Sequence, residues 1–312
     1  MTTQVGARPP AQTPRWRLSR QARDNLAGFL FILPWLIHFV GLIAFAMLFS
    51  LGLSFTETDL LTGYKWIGLR NFQRMFDDPL FWKSLQVTAY YTFALVPLSI
   101  VIALSIALLM NQKVAFLGVW RTLYYLPSVV QGVAVAVLWG YVLNPRFGLI
   151  NLTLARFGIE GPRWLYSEEW AVPAFILMGL WGAGGAMLLY LAGLQGIPTH
   201  LYEAAAIDGA NSWRRFWHIT LPMLTPTIYF NLLINIIASF QVFTQVEVLT
   251  DGGPNNATLT QVLYLYRKGF QDFQFGYASA LAWALFVVIL IFTILVVRSS
   301  ESWVHYEGDI KR

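Results

Sequence analysis

Charged side chains desert this chain for long intervals of similar length. Six segments of about 20 residues or more lack Asp, Glu, Lys and Arg: 28–54, 86–110, 122–143, 171–194, 221–246 and 273–297. Each is long enough to cross a hydrocarbon layer of about 30 Å as a helix. The first is too long for a signal-peptide core, which needs about 7–15 apolar residues and a cleavage site of small residues. The pattern therefore predicts an all-α integral membrane protein with six transmembrane helices. Prolines 34, 97, 127, 173 and 226 fall in or at the ends of these segments. They fit either a kinked bundle around a cavity or the ordinary abundance of proline in membrane helices. Between the helices, 55–85 and 144–170 have room for short interfacial helices. The last such loop, 247–272, opens with LTDGGPNNAT, an irregular turn, and continues with an aromatic run that suits an interfacial helix.

Composition agrees with lipid as the solvent: 57% of the 312 residues are hydrophobic and only 12% are charged, against about 25% charged in soluble domains. The net charge of +5 comes without any block of five basic residues, which argues against nucleic acid as a partner. Charge distribution orients the chain instead. The N-terminal tail (Arg8, Arg15, Arg17, Arg20, Arg23), the second loop with its edge (Lys113, Arg121), the fourth loop (Arg214, Arg215) and the C-terminal tail (Arg298, Lys311, Arg312) hold twelve bases and six acids, while the alternate segments hold nine bases and ten acids. Short cytoplasmic loops favour Lys and Arg, so both termini are expected in the cytoplasm, in a multi-pass protein of the cell membrane. The implied division is a tail at 1–27, a membrane domain at 28–298 and a tail at 299–312. Cysteine is absent, which excludes disulfides and thiolate metal sites.

Ion-coupled carriers and proton pumps usually keep ionisable groups inside the bilayer, but these six cores offer only His38, with no carboxylate near it in sequence. Neither an HExxH pair nor a GxSxG turn is present. No GxxxxGK[ST] loop exists to cradle phosphates, so ATP-driven transport would need the nucleotide on another chain.

Three features carry candidate function. Thr227, Asn231, Asn235 and Ser239 recur every four residues on one face of the fifth helix, with Gln241 and Thr244 beyond. Such groups avoid lipid, and two readings remain open: hydrogen bonds between helices, or the wall of a path for a polar uncharged solute. In the fourth helix Gly182, Gly184 and Gly185 beside Trp181 permit close packing or room for a ligand. Between these helices lies EAAAIDGANSWRRFWHITLP, polar and helix-prone. Here 201–208 are good helix formers, Gly209 is a stop, and Asn211 or Ser212 is positioned to cap a second short helix through Trp217, with Pro222 opening the fifth membrane helix. Three alanines keep one surface low enough for a partner to approach, with Glu203 and Asp208 at its rim; the alternative is a solvated loop whose arginines touch headgroups.

At this point the residues resemble a family. Glu203, Ala204 and Ala205, three residues, Gly209, nine residues, then Ile219, Leu221 and Pro222 match the EAA loop of membrane subunits of binding-protein-dependent ABC importers. YLPSVVQGVAVAVLWGYVLNP, LQGIPTHLYEAAAIDGA and LTDGGPNNAT are similar to its carbohydrate-uptake branch, the maltose and glycerol-3-phosphate permease type. The resemblance implies a type I ABC importer permease architecture. It also implies a coupling loop over about 195–221 whose helix, with Asp208 at its rim, seats in an ATPase groove. The implied activity is import of a sugar or sugar-like solute, without catalysis by this chain. No cofactor would be bound here, because ATP and magnesium would reside on the ATPase. Implied partners are a second homologous permease, two ATPase subunits, an extracellular solute-binding protein and membrane lipid. The family's contact positions for sugar fall on Met178, Trp181, Gly182 and Gly185 in the fourth helix and on Asn235, Ser239 and Val242 in the fifth, with Asn231 on the same polar face. Met178 and Val242 replace amides and Gly185 replaces a tyrosine, so maltose itself is not implied. The rival readings are an ion-coupled secondary carrier or a polar-lined channel acting without an ATPase.

Overall fold

The computed structural model describes residues 19–305 apart from Leu60, Thr62, Lys113 and Gln131. Arg8, Arg15, Arg17, Lys311, Arg312, Glu307 and Asp309, used above to orient the tails, lie outside the described residues, as does Lys113. The chain divides into two compact units, residues 1–50 and 51–312. In the first, Ser19 caps α1 (Arg20–His38) by accepting the Ala22 N–H at 3.1 Å. The helix thus begins eight residues before the apolar segment. A π turn at Phe39–Ala44 leads into α2 (Phe45–Ser54). Within this unit none of the residues of α1 or of the π turn is buried.

In the second unit a two-residue pair, β1 (Thr56–Glu57) with β2 (Lys65–Trp66), precedes α3 (Arg70–Asp77). Strand pairing was not expected from the sequence. Asp78 and Pro79 then start α4 (Pro79–Met110), the long axis of the unit. The buried face of α4 runs through Ser84, Thr88, Thr92, Val96, Ser99, Ala103 and Ala107. Small residues at three- and four-residue spacing let neighbouring backbones approach. The hydroxyls of Ser84, Thr88 and Ser99 bond back to their own helix, and two of them also reach Gln261: Ser84 Oγ donates to its Oε1 and Thr88 Oγ1 accepts its backbone N–H at 2.9 Å. Pro97 sits inside α4 without ending it.

Among the described residues four helices are long and apolar enough to cross a membrane, and up to six spans result if each of two bent pairs is one span. Those pairs differ from the single helices expected. The first is α5 (Leu117–Val129) with α6 (Val133–Val142): Val130 is extended and Gly132 adopts φ 70°, ψ −135°, a geometry that glycine alone tolerates well. The second is α8 (Ala171–Trp181) with α9 (Gly184–Gly196), bent by 45°. There Gly182 and Ala183 donate to the carbonyls three residues back, so the helix tightens and changes direction. Between the pairs, α7 (Leu149–Arg156) and a 3-10 turn at Trp164–Tyr166 fill the loop.

The remaining elements are α10 (Thr199–Ile207), α11 (Ser212–Arg215), a π turn at Phe216–Thr220, α12 (Leu221–Met223), α13 (Thr225–Phe240), α14 (Thr244–Leu249), α15 (Gln261–Tyr266) with a π turn at Arg267–Gln271, and α16 (Phe275–Trp303). The winding after Asn211 does not stop at Trp217. Pro222 stands in the first turn of the short α12, as expected, but the fifth apolar segment is not one helix: a turn at Leu224 separates α12 from α13, which has Pro226 in its own first turn.

α4 packs against α8, α9, α13 and α15, and α13 packs against α16. Three apolar clusters result. One gathers Phe175, Leu263 and Leu281 with Trp139 and Leu143. A second joins Ala103 and Ala107 to Met187, Tyr190 and Leu224. The third surrounds Phe240, whose ring stacks on Phe292 at 5.5 Å and meets Phe93 edge-on at 6.3 Å.

Candidate functional site

The segment from Thr199 to Pro222 is anchored on one side and open on the other. Leu201, Tyr202, Ile219 and Leu221 pack against the second cluster, and the Tyr202 hydroxyl hydrogen-bonds Thr220 Oγ1 at 2.9 Å. Ile207, by contrast, is 88% exposed and Trp213 68%. Glu203, Ala204, Ala206, Asp208 and Gly209 are also exposed, and Ala205 is half-buried. Helix α10 ends on two bonds, from the Gly209 N–H to the Ala206 carbonyl (3.1 Å) and from the Ala210 N–H to the Ala205 carbonyl (2.8 Å). That pattern needs a left-handed residue, supplied by Gly209 at φ 76°. Asn211, not Ser212, then caps α11: its Oδ1 accepts the Arg214 N–H at 2.9 Å. Local bonds thus close the turn between the two short helices. Among the described residues no salt bridge or side-chain hydrogen bond engages Glu203 or Asp208. The result is a stiff element with an apolar, acid-rimmed outer face.

The polar stripe of α13 points inward: Asn231 and Ser239 are 4% and 5% exposed, and Asn235 is half-buried. Its bonds are nevertheless local. Asn231 Nδ2 donates to the Thr227 carbonyl (3.0 Å), Asn235 Nδ2 to the Asn231 carbonyl (2.8 Å) and Ser239 Oγ to the Ile236 carbonyl (3.1 Å). Among the described residues these side chains form no hydrogen bond to another helix. Instead Gly193 of α9 lies so close to Thr227 that an added Cβ would meet its Oγ1 at 2.7 Å.

The fourth-helix candidates separate. Trp181 and Gly182 are exposed at the bend, with Trp181 edge-on to Trp139 at 5.9 Å. Trp181 also lines a cavity of about 250 Å³ with Ile106, Trp120, Tyr124 and Gly184. Met178 and Val242 are core residues of the first cluster. Gly185 faces Ser128, and a Cβ on Gly184 would sit 1.8 Å from the Tyr124 carbonyl oxygen, so this glycine serves close packing of α9 on α5. The cavity at Trp181 is not lined by Asn231, Asn235, Ser239 or Val242.

A polar cluster that the sequence did not reveal lies where α3, α4, α15 and α16 meet. Asp78 Oδ1 caps α4 through the Leu80 N–H (2.9 Å), and its Oδ2 accepts the hydroxyls of Tyr264 and, at 2.6 Å, Tyr277. Arg74 stacks over the Tyr277 ring at 4.2 Å. Burial raises the Asp78 pKa, but the two phenols and the helix amides outweigh it and hold the carboxyl below its ordinary value. Burial, and then Asp78 itself, pushes the Tyr264 phenol up. Tyr264 and Tyr277 are 3% and 2% exposed, whereas the sequence suggested an interfacial aromatic belt; only Phe270 and Phe273 of that run face outward as large exposed rings. The cluster borders a cleft of about 1,400 Å³. Its rings are already covered by cations, since Lys268 lies 5.7 Å from the Tyr264 ring and pairs with Asp272 at 2.8 Å. The cluster clasps α3, α4, α15 and α16 together. The only signal was Asp-Pro at the start of an apolar run.

Residues 96–303 match the family model for the binding-protein-dependent transport system inner membrane component. The chain is 44% identical over 291 residues to the probable ABC transporter permease protein YesP of Bacillus subtilis, covering 92% of this chain and 94% of the relative. It is 35% identical to the lactose transport system permease protein LacF of Rhizobium radiobacter, covering 91% and 97%. Among solved structures it is similar to a chain of a bacterial alginate ABC transporter in complex with alginate pentasaccharide-bound periplasmic protein. That match has a TM-score of 0.80 and 25% identity, and it covers 90% of this chain and 96% of that one.

Proposed function

Because the chain belongs to the family of binding-protein-dependent transport system inner membrane components, multi-pass ABC importer permeases that leave ATP hydrolysis to a separate subunit, we propose that it imports a sugar or sugar-like solute. Relatives named for lactose and alginate transport support the solute class. In this reading α10 is the coupling helix: Ile207 and the alanines seat in an ATPase groove, Glu203 and Asp208 meet cations at its rim, and Gly209 ends it. Ile219, Leu221 and Pro222 transmit its displacement to α13. The chain itself binds no cofactor, ATP and magnesium being held by the ATPase. It works beside a second homologous permease, two ATPase subunits and an extracellular solute-binding protein, with both termini in the cytoplasm. Trp181, Gly182 and Gly185 with Asn231, Asn235, Ser239 and Val242 are the proposed solute-facing set.

The observation that carries the proposal is the stiff, exposed α10 turn, built on the second cluster and leading into the polar helix. Glu203→Lys and Gly209→Pro are each expected to weaken ATPase association or abolish uptake while the membrane helices still fold. Normal ATP-dependent uptake by both variants would overturn it.

A further inference from the structure

Pro226 stands in the first turn of α13 and has no N–H. The carbonyl four residues earlier, that of Pro222, therefore lacks its helical donor. The hydroxyl of Thr225 takes that place, donating to the Pro222 carbonyl at 2.6 Å. The same oxygen accepts the backbone N–H of His305, from 80 residues farther along, at 2.9 Å. His305 lies just beyond the end of α16. Four residues on from Thr225, the ring of Tyr229 meets that of Trp303 edge-on at 6.2 Å. Thr225 is only 9% exposed, so water has little access to its hydroxyl.

This hydroxyl sits at the joint between α12 and α13, where the chain from α10 enters the membrane helix. α12 is three residues long, and a turn at Leu224 separates it from α13. A push on α10–α12 would be absorbed there as a bend unless something braced the joint. The end of α16 is that brace, and at its far end α13 is held to the same helix by the Phe240–Phe292 stack.

We infer that Thr225 is a positioning residue for energy coupling: by locking the end of α16 to the start of α13, it makes a displacement of the α10–α12 segment move both helices together. This rests on α10 as the ATPase-docking element proposed above. The hydroxyl satisfies the orphaned carbonyl and holds the tether at once, and only the tether matters for coupling.

The chain has no cysteine, so spin labels can be placed at exposed positions as Ser212→Cys with Ser302→Cys in the assembled, reconstituted importer. With Thr225 intact, the label-to-label distance is expected to be equal in the resting and vanadate-trapped states. Thr225→Val is expected to make that distance change by several ångströms between states and to lower uptake per ATP hydrolysed about tenfold, with basal hydrolysis retained, as loss of this hydrogen bond allows. Thr225→Ser restores both. His305→Pro deletes the donor without touching Thr225 and should uncouple in the same way, which keeps the inference testable if Thr225→Val fails to fold. Pro226→Ala gives the Pro222 carbonyl an amide donor, yet in that background Thr225→Val should still uncouple. Rescue by Pro226→Ala would reduce Thr225 to a local cap and overturn the inference, as would unchanged uptake per ATP in both Thr225→Val and His305→Pro. Failure of the docking reading shows separately, as normal uptake by Glu203→Lys and Gly209→Pro.

Discussion

Replacing Gly184 by alanine tests the packing of α9 on α5 directly. The added Cβ would lie 1.8 Å from the Tyr124 carbonyl oxygen, 2.7 Å from its carbon and 3.1 Å from the Tyr125 Cα. Carbon atoms essentially never come within 3.0 Å of such a neighbour, so the two backbones must part by about 1 Å or more, and neither is a side chain that can swing aside. Overpacking that moves backbone costs about 1–3 kcal/mol, and this case belongs at the upper end. For a domain of this size, each kcal/mol lowers the melting temperature by about 2–4 °C. Gly184→Ala should therefore melt roughly 4–10 °C below the parent, as measured by thermal unfolding of the complex in nanodiscs. The control is Gly196→Ala, at the end of the same helix, where nothing lies within 4 Å of the new Cβ; alanine there should be neutral or slightly stabilising. Melting of the Gly184 variant within a degree of the Gly196 variant would show that the α5–α9 approach is not as close as described. Uptake should fall too, because Tyr124 and Gly184 both line the cavity at Trp181.

Asp78→Asn should destabilise the clasp by about 1.5–3 kcal/mol, since a charged acceptor of two phenols is lost. The folded carboxyl titrates below its ordinary value, so its contribution is complete above about pH 4 and disappears as pH falls through the folded pKa; parent and variant melting curves should differ constantly from pH 5 to 8 and converge in stronger acid, and a gap that persists unchanged at pH 3 would refute the account. Gly209→Ala forces a Cβ into a left-handed residue at a cost of about 1–2 kcal/mol, seen as faster amide exchange at Gly209 and Ala210, while Gly209→Asn should be milder. Asn151→Ala removes three bonds, from Nδ2 to the carbonyls of Pro145 and Pro162 and from Trp164 Nε1 to Oδ1; the 144–166 loop should become protease-sensitive and Trp164 emission should shift to the red.

Hydropathy located all six apolar segments, because lipid imposes a minimum length that any reader of the chain can count. It could not show that two of them turn, since Gly132 and Gly182 read as tolerated small residues until their dihedral angles are known. Local chemistry was legible where the partners are close in sequence: Gly209 as a helix stop follows from the run before it, and the cap after it was narrowed to Asn211 or Ser212. The Asp78 clasp was not, because its phenols come from 186 and 199 residues away. The polar stripe shows the converse. Its period put Asn231 and Ser239 on an inward face, but whether they bond across helices or along their own depends on neighbours that periodicity does not name.

The double closure of α10 has a kinetic meaning. A loop that ordered only on meeting its partner would lose about 1–2 kcal/mol of backbone freedom for each residue fixed. Here that loss is already borne when the chain folds, because Gly209, Ala210 and Asn211 close the turn with bonds internal to the segment. Docking in the proposed groove then becomes an encounter of two preformed surfaces, whose rate is set by orientation rather than by folding. Such a joint can let go and re-engage at every turnover without its affinity depending on how often it does so.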